Sequence, residues 1–256
     1  MQDYYRLVAP YLDLELADRG DAEFWEWAAG QPPGCRVLEL GAGSGRATEF
    51  LARAARQVVA LDLSPDLIAR ARRRLAGLRG VTLAVADMRR VHLAARFDLV
   101  VAVDDPFAHL VRGKDRDLAL GTAAEHLGLG GRFILDSAWF SPQRRELAAQ
   151  PGGLVMERSL GGEGCEDGER ERLEVREEWR CFGRSRLCSA RFEYRRGGRL
   201  LAEASFQARL WSVAELERRS RAAGLEIVSL WGDYDRRPWD RATSPRLIVE
   251  VRRTGE

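Results

Sequence analysis

Four short apolar segments recur along the first half of the chain, each bounded by charged residues or by glycine. They are residues 37–40, 58–62, 81–86 and 97–103. Apolar runs of this length are typical of parallel strands that are covered on both faces. After the second run, Ser64 and Pro65 provide an N-cap and a first helical position, and apolar residues follow at helical spacing. Strands that alternate with helices predict an α/β fold with a parallel sheet.

The second half of the chain has a different pattern. After a charged loop over residues 161–172, three strand-like segments follow at 173–181, 187–195 and 200–210. The last two flank the turn Arg196-Gly197-Gly198-Arg199, which predicts a β-hairpin. A helix over 212–223, ended by Gly224, and two strands at 225–231 and 246–251 complete the pattern. An antiparallel insertion therefore interrupts the α/β unit.

The first apolar run ends in the motif E-x-G-x-G-x-G, formed by Glu39, Gly41, Gly43 and Gly45. Glycine permits positive φ and lets the backbone approach a ligand closely, and a helix that begins at Arg46 would direct free N–H groups at that ligand. The dinucleotide fingerprint G-x-G-x-x-G/A does not fit, because its third small position would be Arg46. The turn predicts a site for a nucleoside-like ligand other than NAD.

This motif resembles motif I of the class I S-adenosylmethionine-dependent methyltransferases. The resemblance implies a Rossmann-like, seven-stranded sheet with helices on both faces, a helix near 115–127 before a fifth strand at 130–136, and S-adenosylmethionine as cofactor. The antiparallel β insertion after strand five resembles that of small-molecule enzymes in the methyltransferase-domain-25 group. We expect a cofactor-binding core with an N-terminal helical lid over residues 1–150, an acceptor lid or dimer contact over 151–210, and completion of the core over 211–256.

The resemblance also assigns residues to the cofactor. An acid about 20 residues beyond the first glycine, here Asp62, is placed to accept both ribose hydroxyls. Asp87 would accept from the adenine amino group, Met88 would pack on the ring, and Tyr11 would cover the cofactor from the N-terminal helix. Each of these features also has a purely structural interpretation. Taken singly, the glycines could form only a tight turn, and a strand-terminal Asp could be only a helix cap. Tyr11 could be an ordinary aromatic residue on a helix face. The expected cofactor site comprises Tyr11, Glu39, Gly41, Ala42, Gly43, Gly45, Arg46, Asp62, Leu63, Asp87, Met88 and Val103.

The loop after strand four, residues 104–110, is where the methyl acceptor is expected, since ligands of such sheets lie beyond the carboxyl ends of the strands. Asp104 and His109 are the candidate catalytic residues, and the ordinary pKa of histidine suits a general base. A structural histidine, with catalysis by alignment alone, is the alternative. Asp104-Asp105-Pro106-Phe107 partly resembles the [DNS]-P-P-[YF] motif of nucleic-acid amino-methyltransferases. A non-catalytic binder or a reductase on the same fold is the other alternative.

Composition narrows the class of protein. The 256 residues carry a formal charge of +2, which is too small to indicate nucleic-acid binding. Neither a long apolar stretch nor a signal peptide is present, so we expect a cytoplasmic protein, without membrane contact, that acts as a monomer or homodimer on a small molecule with an N or O nucleophile. The four cysteines, at positions 35, 165, 181 and 188, form no C-x-x-C, which predicts neither a metal site nor a disulfide framework. We expect them to be small hydrophobic residues.

Overall fold

The structure is a computed structural model that describes residues 2–17, 19–160, 172–182 and 186–255. Seven α-helices lie in the described part of the chain: α1 Gln2–Glu15, α2 Ala22–Ala29, α3 Arg46–Ala54, α4 Pro65–Arg74, α5 Gly113–His126, α6 Pro142–Ala149 and α7 Val213–Ala222. A short 3-10 helix covers Pro106–His109. The strands there are β1 Arg36–Leu40, β2 Gln57–Asp62, β3 Val81–Val85, β4 Phe97–Ala102, β5 Leu127–Ala138, β6 Leu154–Leu160, β7 Leu173–Cys181, β8 Leu187–Arg196, β9 Arg199–Arg209, β10 Leu225–Trp231 and β11 Arg246–Arg253.

The main sheet has seven strands in the order β10-β11-β5-β4-β1-β2-β3. The strands from β5 to β3 are parallel, and β11 is antiparallel to both of its neighbours. Both faces are covered, since Leu99 and Val101 of β4 pack on one side with α2 and α3, and Val100 packs on the other with α5. The expected Rossmann-like fold is confirmed. The strand order reverses direction at β1 and β4, so a crevice opens at their carboxyl ends.

The insertion after β5 forms a second, antiparallel sheet in the order β6-β7-β8-β9. The expected hairpin joins β8 to β9, and Gly197 and Gly198 at its turn have φ of 54° and 74°. The sequence prediction missed β6, where half-buried apolar residues alternate with exposed ones such as Val155 and Glu157. An edge strand of this kind has one neighbour only and needs no strongly apolar face.

The cysteine prediction was wrong for one pair. Cys181 and Cys188 lie directly opposite each other in the β7–β8 register and form a disulfide. The seven-residue separation was not informative without knowing that a hairpin brings the two strands together. Cys35 is unpaired and buried, as expected of a small hydrophobic residue. Cys165 and residues 161–171 of the predicted charged loop lie outside the described residues.

The described helices include none that is both long and apolar enough to cross a membrane. In the same part of the chain, His, Cys, Asp and Glu side chains nowhere form a group of three that could hold a metal ion.

Candidate active site

The glycine turn between β1 and α3 forms the floor of a pocket at the carboxyl edge of the main sheet. Gly41 has φ of +84°, and a Cβ there would lie 2.6 Å from Cβ of Pro106 in the loop after β4. Gly43 has φ of +57°, and a Cβ there would meet no protein atom within 4 Å. The first glycine therefore allows two loops to pack together, and the second leaves open space above the turn.

Two acids, the half-buried Asp62 and the buried Glu39, hold this turn in place. Asp62, at the end of β2, accepts the Gly43 N–H at 2.9 Å and the Ser64 N–H at 2.8 Å. Burial raises its pKa. Glu39 at the end of β1 accepts the Thr48 hydroxyl at 2.6 Å, and burial raises its pKa to about 7. The predicted cofactor acids thus also have a structural task, because they fix backbone and helix positions around the open space.

Asp87 and Met88 follow β3 at the other end of the pocket. The Asp87 carboxylate accepts from Arg89 Nη2 at 2.7 Å, and Arg89 Nη1 is 3.1 Å from the carboxylate of Asp115 in α5. The hydrogen bonds from Arg89 lower the pKa of Asp87. Arg89 thus joins the loop after β3 to α5 across this end of the pocket, a contact that the sequence did not indicate.

The pocket brings together most residues of the predicted site. From the predicted set, its lining includes Glu39, Gly41, Ala42, Gly43, Arg46, Asp62, Leu63, Asp87, Met88, Val103, Asp104 and His109. Gly45 lies behind the turn, where a Cβ would be 2.9 Å from a methyl carbon of Leu75 in α4. Tyr11 is also outside the lining, because its ring stacks on Tyr194 of β8 at 5.0 Å between ring centres. The guanidinium of Arg46 is held by the Asp21 carboxylate at 2.6 and 2.7 Å.

The loop after β4 is held in an uncommon backbone conformation. Asp104 and Asp105 have φ of 63° and 67°, and non-glycine residues with such values concentrate at functional sites. The backbone N–H groups of both residues donate to Asp136 of β5, each at 3.0 Å. The Asp105 carboxylate accepts the Ser137 hydroxyl at 2.7 Å, and burial raises its pKa to about 7. These contacts direct the Asp104 side chain toward the pocket and turn that of Asp105 toward β5.

Asp104 lies among arginines. Arg19, in the segment between α1 and α2, forms an ion pair with it, and Arg246 of β11 lies 3.6 Å away. Burial raises the pKa of Asp104, but the guanidiniums of Arg19, Arg246 and Arg46 outweigh that effect, and the pKa lies below its ordinary value. A carboxylate that remains ionised at neutral pH is a weak base but a good partner for a cation.

His109 ends the 3-10 helix and lies beside α1. Its Nε2 shares a hydrogen bond of 2.6 Å with the Tyr5 hydroxyl, and its ring centre is 4.7 Å from that of Phe206 in the second sheet. Its buried Nδ1 has no partner in the described part of the chain. Burial lowers the pKa of His109 to about 4, so the ring is neutral at pH 7. Burial thus moves the pKa of His109 away from the ordinary value that would suit a general base.

Several lining residues were not predicted. Tyr5 and Leu12 of α1, and Leu16 directly after it, line the pocket in place of Tyr11. Their positions, seven and four residues apart, fall on one helix face and could have been recognised from that spacing. Arg19, which contacts Asp104, lies outside any regular element and had no such signal.

Comparison with known proteins identifies the unit that carries this pocket. Residues 37–131 match a family model described as a methyltransferase domain. Within these residues the chain is similar to methyltransferase domains. Over its whole length, the fold around this domain is similar to the crystal structure of an S-adenosylmethionine-dependent methyltransferase from Clostridium acetobutylicum. The two have a TM-score of 0.76 and 20% identity, with 99% of this chain and 100% of the other covered.

Curated relatives of the methyltransferase domain differ in what they act on. The dTDP-3-amino-3,4,6-trideoxy-alpha-D-glucopyranose N,N-dimethyltransferase of Streptomyces venezuelae is 29% identical over 109 residues, which is 43% of this chain. The match spans only 45% of that relative's length. The cypemycin N-terminal methyltransferase of a Streptomyces species is 27% identical over 226 residues, with 87% of this chain and 86% of the relative covered. The sequence similarity thus covers less than half of this chain for the first relative and most of it for the second.

Proposed function

We propose that this protein transfers a methyl group from S-adenosylmethionine to a nitrogen or oxygen nucleophile of a small molecule, with an amine as the favoured acceptor. The observation that carries the proposal is a single pocket that joins the glycine turn, Asp62 and Asp87 to Asp104 and His109. The first relative described above is named an N,N-dimethyltransferase, which supports the amine, and the second is named an N-terminal methyltransferase.

The residues of the pocket fit this cofactor. The space above Gly43, which any Cβ would enter, suits close approach of a ligand to the backbone. Asp62 is positioned for ribose hydroxyls, Asp87 for the adenine amino group, and Met88 for packing on the base. When bound, S-adenosylmethionine supplies an electrophilic methyl group on a sulfonium centre. Asp104 lies in the same pocket and stays ionised because it is paired with Arg19 and lies near Arg246.

For the acceptor, we favour alignment over proton removal as the main contribution of the protein. Alignment of two reactants contributes roughly 7–11 kcal/mol to a barrier, whereas a general base typically adds about 10²–10⁴-fold in rate. Neutral His109 presents its unpartnered Nδ1 as a hydrogen-bonding group, and Tyr5 fixes the ring through Nε2. A histidine with a pKa of about 4 is a weak base, so its expected role is to orient the acceptor.

We assign residues 151–210, which include the second sheet, to the acceptor lid. Residues 1–150 form the cofactor core in this assignment, and residues 211–256 complete that core. The contact between His109 and Phe206 supports this assignment, since it brings the second sheet against the loop that faces the pocket. Cytoplasmic location remains part of this proposal, as does either a monomeric or a dimeric state.

A nucleic-acid acceptor is disfavoured by the position of Phe107. In the [DNS]-P-P-[YF] motif the aromatic residue grips a flipped base. Here Phe107 is fully buried and packs on Phe133 and Trp211, with ring centres 6.0 and 6.4 Å away. It therefore has no free face for a base.

Two measurements test the proposed function. Calorimetry with S-adenosylmethionine should show binding that Gly43→Ala weakens at least about tenfold, because the new methyl group enters the cofactor space. Gly77→Ala is the matched control, since Gly77 also has positive φ and open surroundings but lies outside the pocket. Radiolabelled methyl transfer to a panel of small-molecule amines and alcohols tests the reaction. Absence of cofactor binding, or equal loss in both variants, would refute the proposal.

A further inference from the structure

A second group of polar side chains surrounds Trp139, just beyond the carboxyl end of β5 and outside the pocket described above. The guanidinium carbon of Arg186 lies 6.0 Å from the centre of the Trp139 ring. Trp139 Nε1 donates to the carbonyl oxygen of Arg241 at 2.9 Å. Helix α6 begins three residues after Trp139 and carries Arg145 in its first turn. Arg241 thus lies beside Trp139 through its backbone, and the charges of Arg145 and Arg241 both act on Arg186.

These arginines have no acidic partner. Among the described residues, none of Arg145, Arg186 and Arg241 has a carboxylate oxygen within 4.0 Å. Burial, together with the guanidiniums of Arg145 and Arg241, lowers the pKa of Arg186 to about 10, which still leaves it charged at pH 7. Glu215 is the acid whose charge reaches Arg186, but it already forms ion pairs with three other arginines. The group therefore carries uncompensated positive charge.

Two buried donors at the same place also lack partners. Arg145 Nε and Trp239 Nε1 are buried and make no hydrogen bond within the part of the chain that the structure describes. The Trp239 and Trp139 ring centres are 4.9 Å apart, which places the Trp239 donor beside Trp139, and Arg145 is one of the two arginines whose charge acts on Arg186. A buried donor without an acceptor costs about 1–3 kcal/mol, so an acceptor supplied by a ligand would be stabilising.

We propose that Arg145, Arg186 and Arg241 bind a phosphate or diphosphate group of the methyl acceptor. Such a group offers several strongly accepting oxygens and two or more negative charges, which match converging guanidiniums and the free indole N–H. The Asp105 carboxylate, in the loop beside the pocket, accepts the backbone N–H of Ala138, the residue before Trp139. The residue before Trp139 is therefore bonded to the loop that also carries Asp104. The role assigned to the bound molecule rests on the proposed function, whereas the anion binding itself does not.

Calorimetry with inorganic phosphate and with diphosphate, on the full chain at constant ionic strength, tests this site. The double variant Arg145→Gln/Arg241→Gln should bind diphosphate at least about tenfold more weakly than the parent. Arg186 is left unchanged because it also donates to the Trp211 carbonyl oxygen at 2.6 Å. Arg144→Gln is the matched control. It removes the same charge from the same helix, but the Arg144 guanidinium lies over Phe140 and beside Met156.

We expect the control to change diphosphate affinity less than about twofold. Three results would overturn the proposal. Diphosphate affinity could be unchanged in the double variant, or it could fall equally in Arg144→Gln. Diphosphate could also bind no more strongly than chloride does at equal ionic strength. If the double variant does not fold, the exposed Arg241→Gln alone provides the same comparison. S-adenosylmethionine affinity should be unchanged in every variant. A parent that binds diphosphate but not S-adenosylmethionine would refute the proposed function and leave the anion site intact.

Discussion

Replacement of Asp62 by alanine separates the structural task of this residue from its task in cofactor binding. Its carboxylate oxygens accept the N–H groups of Gly43 and Ser64 at 2.9 and 2.8 Å. Each backbone donor left unpaired costs about 1–3 kcal/mol, which gives about 2–6 kcal/mol for the two. Burial raises the pKa of Asp62, so the charged group is itself costly to bury. We therefore expect a loss near the lower end, about 2 kcal/mol, in the free energy of unfolding.

Cofactor affinity should fall by a further amount. If the same carboxylate accepts two ribose hydroxyls, its loss removes charged hydrogen bonds worth about 2–4 kcal/mol, or roughly 30-fold to several hundred-fold in the dissociation constant. Denaturant unfolding without ligand measures the first effect, and calorimetry with S-adenosylmethionine measures the second. Asp66→Ala is the control, since Asp66 is an exposed acid in the first turn of α4. An unchanged dissociation constant in a folded Asp62→Ala protein would show that this carboxylate does not bind the ribose.

Three further outcomes are expected. Asp87→Asn should weaken cofactor affinity less than Asp87→Ala, because the amide oxygen still accepts a hydrogen bond. Calorimetry of both variants measures this difference, and parent-like affinity in both would show that Asp87 does not contact the adenine. The parent kcat should be independent of His109 ionisation between pH 6 and 8, since burial holds the His109 pKa at about 4 and the ring loses its proton well below this range. His109→Asn should then lower kcat by less than about tenfold. A pH–rate profile of the parent that shows a pKa near that of free imidazole, and that disappears in His109→Asn, would instead indicate a general base. Reduction of the Cys181–Cys188 disulfide should lower the free energy of unfolding by about 2 kcal/mol, as expected for a short closed loop. The stability of the double serine variant should not change with reductant. Equal stability of the parent with and without reductant would contradict the disulfide.

Most of the cofactor half could be predicted from local patterns. The apolar runs at β1 to β4, the N-cap at Ser64 and the glycine turn at Gly41–Gly45 depend on residues within a few positions of each other. The carboxyl ends of parallel strands meet at one edge, so residues that end these strands come together whatever the details of packing. Asp62, Asp87 and Asp104 accordingly line one pocket, as expected.

The part of the pocket around Asp104 and His109 could not be predicted in the same way, because its contacts join segments far apart in the chain. The hydrogen bond between Tyr5 and His109 spans 104 positions, and the ion pair between Arg19 and Asp104 spans 85. Tyr11 and Tyr5 both lie on α1, and only the packing of α1 against the second sheet decides which ring enters the pocket.

The sequence by itself determined the alternation of strands and helices from β1 to β4, the glycine turn and the acids that end the strands, since each depends on short-range periodicity or backbone conformation. Only the tertiary structure decided that His109 is neutral and that Asp104 stays ionised. It also decided that Cys181 pairs with Cys188 and that Arg186 lies beside Trp139. The physical reason is that burial and charge at a side chain are set by every element packed against it. Those neighbours are fixed only when the second sheet and α1 have been placed on the core.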